Sequence, residues 1–155
     1  MRITFTKKRG RTQLVCHRTD GSAVIASLGP QTPYHDLGHF VVERKLGIKN
    51  GFFGYVEQGY SIEDLSKKEV IMTLDAEAWQ AEILTRALGS LATGACTLEQ
   101  FPELVNSELK QFNWPTVNSL TGERIGEMHE EFQQLISRFN QLDEGESMSL
   151  EFTVE

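Results

Sequence analysis

Cysteine is scarce in this chain. Of 155 residues only Cys16 and Cys96 carry a thiol, and neither belongs to a CxxC pair. Two buried free thiols in a reducing compartment are therefore expected, with a single disulfide as the alternative. Long apolar runs are absent too: none approaches the roughly 20 residues a membrane helix needs. The opening stretch MRITFTKKRG has no apolar core of the signal-peptide kind, which points to the cytoplasm. Repeats and low-complexity segments are missing. No serine sits in a Gly-x-Ser-x-Gly elbow, and GFFG at 51–54 lacks both the Gly-Lys-Ser/Thr ending of a phosphate loop and a dinucleotide fingerprint.

What is present suits one α+β domain spanning 1–155. An apolar fraction of 39% and a charged fraction of 24% are ordinary for a globular chain of this length. The net charge of −7 is unevenly spread: residues 1–50 carry +6 and residues 51–155 carry −13. Either the two parts neutralise each other in the fold, or the basic part attracts an anionic partner. With so acidic a total, nucleic-acid binding is not expected, and KKRGR at 7–11 reads as a solvated turn.

Period-two alternation marks strands at both chain ends. Ile3 and Phe5 alternate with Arg2, Thr4 and Thr6, and apolar runs at 13–17 and 23–28 flank the turn dipeptide Asp20-Gly21. At the other end Met148, Leu150, Phe152 and Val154 alternate with Ser149, Glu151 and Thr153. A lone terminal strand needs a partner, so it joins the N-terminal strands in an antiparallel sheet with one face covered. About four helices lie between. Thr32-Pro33 starts the first, with a hydroxyl cap and proline at the first helical position, and Gly47 stops it. The second covers about 75–92 with Asp75 at its cap. The third covers 98–112, with Thr97 and Gln100 at capping-box spacing, and the fourth about 121–141.

The chemistry lies in TPYHDLGHFVVERKLG, residues 32–47. His35 and His39 are one helical turn apart, so their imidazoles stand one above the other and can converge on one cation. Zinc is the first-choice divalent metal, since it accepts two imidazole nitrogens at roughly 2.0–2.1 Å. Near the helix start the macrodipole favours the neutral, ligating ring at His35. Glu43 continues the row, and His129 or Glu57 can supply a third ligand from elsewhere in the chain. Asp36, next to the first histidine, is the candidate to orient water or ligand. The competing reading is structural: Asp36 favours the positive helix end, and the histidines bond to loop carbonyls or aromatics around 52–60.

This stretch resembles the HExxH helix of zinc metallopeptidases, with Asp36 where that helix carries its glutamate base. The resemblance implies metal binding more than peptide hydrolysis, because aspartate is one methylene shorter and displaces the base by about 1 Å. HDLGHFVVERKLGIKNGFFG, residues 35–54, also resembles a segment of small uncharacterised bacterial proteins with the pattern HDLxHFVVE, LG, then GF-aromatic-G. That likeness implies no activity. It does imply that the helix and the aromatic loop after it belong together.

The loop NGFFGYVEQGYS, residues 50–61, surrounds Phe52, Phe53, Tyr55 and Tyr60 with glycines. Glycine permits close backbone approach or positive φ, so Phe52, Phe53 and Tyr55, with Tyr34, can wall a small apolar pocket beside the histidines. Alternatively these aromatics simply fill the core. Glu77, Glu82, Glu103, Glu108, Glu127, Glu130 and Glu131 are spread over helices, and most of them read as solvated faces. The functional expectation is a metal-binding, hydrolase-like protein acting on a small molecule or peptide. The rival is a non-catalytic binding protein in which His35, Asp36 and His39 are structural.

Overall fold

A computed structural model describes residues 1–29 and 32–154, except for the side chain of residue 32. Strands β1 (Arg2–Lys8), β2 (Arg11–His17), β3 (Ala23–Leu28) and β4 (Ser147–Glu151) form one antiparallel sheet in the order β3-β2-β1-β4. The last strand pairs with the first, setting Ile3 opposite Leu150 and Phe5 opposite Met148. Ile3, Phe5, Leu14, Cys16, Met148 and Leu150 are buried on the inner face. The outer face is polar at this seam, where the Thr4 and Ser149 hydroxyls pair at 2.9 Å. The basic turn is tighter than the 7–11 reading: Lys7 and Lys8 belong to β1, and Gly10 turns the chain at φ +68°. Gly21 closes the second hairpin at φ +88°, beside an Asp20 carboxylate that accepts from Ser22.

Six α-helices follow among the described residues: α1 (Thr32–Leu46), α2 (Phe52–Glu57), α3 (Lys68–Ile71), α4 (Ala76–Ala92), α5 (Phe101–Gln111) and α6 (Gly122–Asn140). The four long ones are those the periodicity predicts. Asp75 caps α4 by accepting from the Ala78 N–H, and Thr121 caps α6 by accepting from Arg124. Thr97 and Gln100 exchange the two bonds of a capping box. Gly47 ends α1 at φ +69°. The hydroxyl of the proposed Thr32 cap lies outside the described part of the structure.

Helix α1 lies in the middle of the helical layer and packs against α4, α6 and α2. Its close approach to α4 depends on Gly38, where an added Cβ would stand 2.9 Å from Thr85 Cγ2. Part of the basic N-terminal third meets α6 here, with Arg44 on Glu131 at 2.6 Å and Lys45 on Glu127 at 3.4 Å. Cys16 and Cys96 are both buried and unbridged. Among the described residues no helix is long and apolar enough to cross a membrane.

Candidate metal centre

Three ligand atoms from two helices converge at the α1–α4 crossing. His35, His39 and Glu82 present a ring nitrogen, a ring nitrogen and a carboxylate oxygen that all lie within 4.8 Å of one another. Glu82 Oε2 is 3.2 Å from His35 Nε2 and 3.0 Å from His39 Nε2. Two donors at zinc's bond length stand roughly 3.0–3.4 Å apart, across the angles from octahedral to tetrahedral coordination. The two His–Glu separations have that size. The two imidazoles meet edge to face, with centroids 4.9 Å apart. The other oxygen of Glu82 is held by Arg86 at 3.4 Å, and Arg86 also binds Glu108 at 2.6 Å.

Glu43 does not join this group. It lies behind His39, with 0% of its surface exposed, and its Oε1 is 3.1 Å from His39 Nδ1. The same carboxylate accepts the backbone N–H groups of Phe53 and Gly54 at 3.1 and 3.2 Å. A carboxylate that already accepts two amides also accepts a hydrogen bond from the Nδ1–H of His39. The lone pair of His39 Nε2 then faces Glu82. Metal-bound histidines are commonly oriented by a partner of this kind. His39 itself is 4% exposed. Burial lowers its pKa, but the hydrogen bonds it donates to Glu43 and Glu82 outweigh that, and it stands at about 9. Without a metal, a second proton bridges His39 to Glu82. Burial would raise the Glu82 pKa, but its bonds to His35 and His39 hold it well below the usual carboxylate range.

The loop expected at 50–61 is partly helical, and the reason is tertiary. Glu43, ten residues upstream, satisfies the first free amides of α2, a role no residue beside α2 performs. The glycines serve close approach and not positive φ at the two positions that matter. A Cβ on Gly51 would stand 2.3 Å from Glu43 Cδ, and one on Gly54 would stand 2.0 Å from the Lys49 carbonyl oxygen. Asn50 ties this connection to the start of α4, donating its N–H to Glu77 and its amide to Asp75.

The remaining sequence candidates scatter. Asp36 is 5% exposed and outside the converging trio, and its Oδ2 has no hydrogen-bond partner among the described residues. Burial raises its carboxyl to about 6, against the opposing pull of His39 and His35. Its charge also reaches the Cys16 thiol, which burial first and Asp36 second push up to about 12. His129 sits on α6 with a buried Nε2 that lacks a partner among the described residues, and it is not part of the trio. Glu57 binds Thr19 at the far end of α2.

Of the four proposed pocket aromatics, two line a cavity at the site. A chamber of about 480 Å³ opens beside His39 and Glu82, walled by Phe52, Tyr55, Leu65, Leu74 and Trp79 among others. Phe53 is fully buried and packs on Phe152. Tyr34 stacks edge-on against Phe139 and donates to Asn140 Oδ1 at 2.7 Å.

Sequence reasoning missed Glu82, Arg86 and Trp79. The reading of Glu82 as a solvated face is corrected by its contacts with both histidines. No local signal singles it out: α4 also carries Glu77, Gln80, Thr85 and Ser90, so Glu82 is one polar residue among several. No family model, no curated protein and no solved structure matches this chain.

Proposed function

We propose that this chain binds a divalent cation, zinc as first choice, through His35 Nε2, His39 Nε2 and Glu82 Oε2. The reading rests on one observation: three ligand atoms converge while a fully buried carboxylate, Glu43, holds the ring nitrogen that does not point at them. Three protein ligands leave coordination positions open, the arrangement of catalytic zinc sites. Such a metal lowers the pKa of a bound water to about 7 and polarises an oxygen placed against it. This supports a hydrolase-like reaction on a small molecule or short peptide that enters from the cavity side. Asp36 acts on the centre as a buried neighbouring charge and is not a base in the cavity, because it does not line that chamber. Two unbridged thiols support a reducing compartment, and we place the protein in the cytoplasm.

A second reading has its own support. The His–Glu separations of 3.0 and 3.2 Å are also ordinary hydrogen-bond lengths. A doubly protonated His39 would then make the cluster a structural ion network, and the protein a non-catalytic binding module.

Metal content of untagged protein separates the two readings. We expect close to one equivalent of metal in the wild type, and its loss in both His35→Ala/His39→Ala and Glu82→Gln. Adding zinc, manganese or nickel to the metal-free wild type should raise its melting temperature, because a ligand that binds only the folded state stabilises it. Absence of bound metal, together with an unchanged melting temperature on adding all three ions, would overturn the metal reading.

A further inference from the structure

The chamber beside the trio has an uneven chemistry. Its polar groups gather at one end, where His39, Glu82 and Arg86 stand together. The rest is walled by Phe52, Tyr55, Leu65, Ile71, Leu74 and Trp79, none of which is charged. At about 480 Å³ it falls within the range of small-molecule sites. One wall is flat and backed by other aromatics: Trp79 stacks on Trp114 at 19° and on Phe112 at 24°, with centroids 6.3 Å apart in each case. Another part of the wall is tied to the proposed metal ligands. Phe52 leans on the His39 ring with centroids 5.4 Å apart, and Glu43 anchors both His39 and the start of α2.

We propose that this chamber holds the apolar tail of an acyl compound, an aromatic one by preference, whose carbonyl-side oxygens lie at His35, His39 and Glu82. The assignment rests on the metal reading above and names the substrate class of that site. A sugar or a nucleotide would lose hydrogen bonds to water along walls that offer few in return, and that loss is costly in a desolvated site. An aryl ring loses nothing there. It gains the transfer free energy of its apolar surface and a stacking partner in Trp79. A single oxygen-bearing head fits the single polar end.

The probes are two hydroxamates with the same metal-binding head, acetohydroxamate with only a methyl tail and benzohydroxamate with a phenyl tail. Each is titrated into the zinc-loaded full chain and followed by calorimetry. Benzohydroxamate should bind at least tenfold more tightly than acetohydroxamate, and the gap should collapse in Trp79→Ala. Leu74→Gln, which makes a half-buried wall residue polar, should narrow the gap as well and serves if Trp79→Ala fails to fold. Zinc uptake with equal affinities for both probes would overturn the chamber assignment and leave the metal reading standing, as would a gap that survives both variants. Failure to take up zinc would overturn the metal reading, and this assignment with it.

Discussion

Replacing Glu43 tests the least accessible and most connected group of the site. In Glu43→Ala three donors lose their acceptor together: His39 Nδ1–H and the amides of Phe53 and Gly54. Hydrogen bonds to a charged group are each worth about 1.5–3 kcal/mol, and removing one partner of a buried ionic pair typically costs about 3–5 kcal/mol. Relief of the carboxylate's own desolvation offsets part of the sum, so the net loss should be about 3–5 kcal/mol. That is a large share of the roughly 5–15 kcal/mol available to a domain. Glu43→Gln keeps the shape and should cost less, but its effect on the site is sharper. A carboxamide directs an N–H at the imidazole or at an amide and loosens the hold on the Nδ1 proton. Metal affinity should fall about 10- to 100-fold, as for other partners of metal-bound histidines. Urea denaturation followed by tryptophan fluorescence gives the first quantity, and competition with a zinc chelator gives the second. A Glu43→Ala variant within about 1 kcal/mol of wild type would refute the reasoning on stability. A Glu43→Gln variant with wild-type zinc affinity would refute the orienting role.

The same geometry sets four further outcomes. Gly54→Ala forces a Cβ to within 2.0 Å of a backbone carbonyl, so the melting temperature should drop by about 10 °C or more, or the variant should fail to fold. Gly89→Ala, inside α4 with nothing within 4 Å of the new methyl, should instead stabilise by about 0.4–1 kcal/mol in denaturant melts. In the metal-free protein His39 stands at about 9, above its ordinary 6.5, so its contribution is complete below pH 6.5 and lost as pH rises through 9. Thermal melts across that window should show falling stability, and His39→Gln should flatten the profile. The Asp36 carboxyl is also raised, to about 6, but there the buried anion is the costly form. Its penalty grows as pH rises from 3.8 to 6, so Asp36→Asn should stabilise the protein at pH 8 by about 1–3 kcal/mol in denaturant melts.

The candidate site was half legible from the chain. His35 and His39 stand on one helical row, and the i, i+4 rule alone brings their rings together. Glu43 continues that row in sequence, but one more turn carries its side chain under the start of α2, where two free amides and the Nδ1 of His39 hold it. The third converging group, Glu82, is 43 residues from His39 and reaches it only because Gly38 lets α4 approach α1 at Thr85. No local pattern distinguishes that glutamate from the acids on the outer helix faces. The aromatic segment shows the same limit. Its glycines signal close approach, yet which aromatic faces the cavity depends on α2, a helix whose amides are satisfied from another element. Phe52 and Tyr55 turn to the chamber, while Phe53 points into the core.

By itself the sequence determined the features set by short-range periodicity and capping chemistry: the alternating strands at both ends, the four long helices, the caps of α4 and α5, and the pairing of two histidines one turn apart. These depend on backbone geometry within a few residues. Tertiary structure decided what the histidines face. The partner carboxylate, the buried acid behind them and the chamber beside them come from α1, α2, α4 and the segment between α2 and α4, and glycines at 38 and 51 let these pieces approach closely. Close packing of distant segments leaves no periodic trace in any one of them.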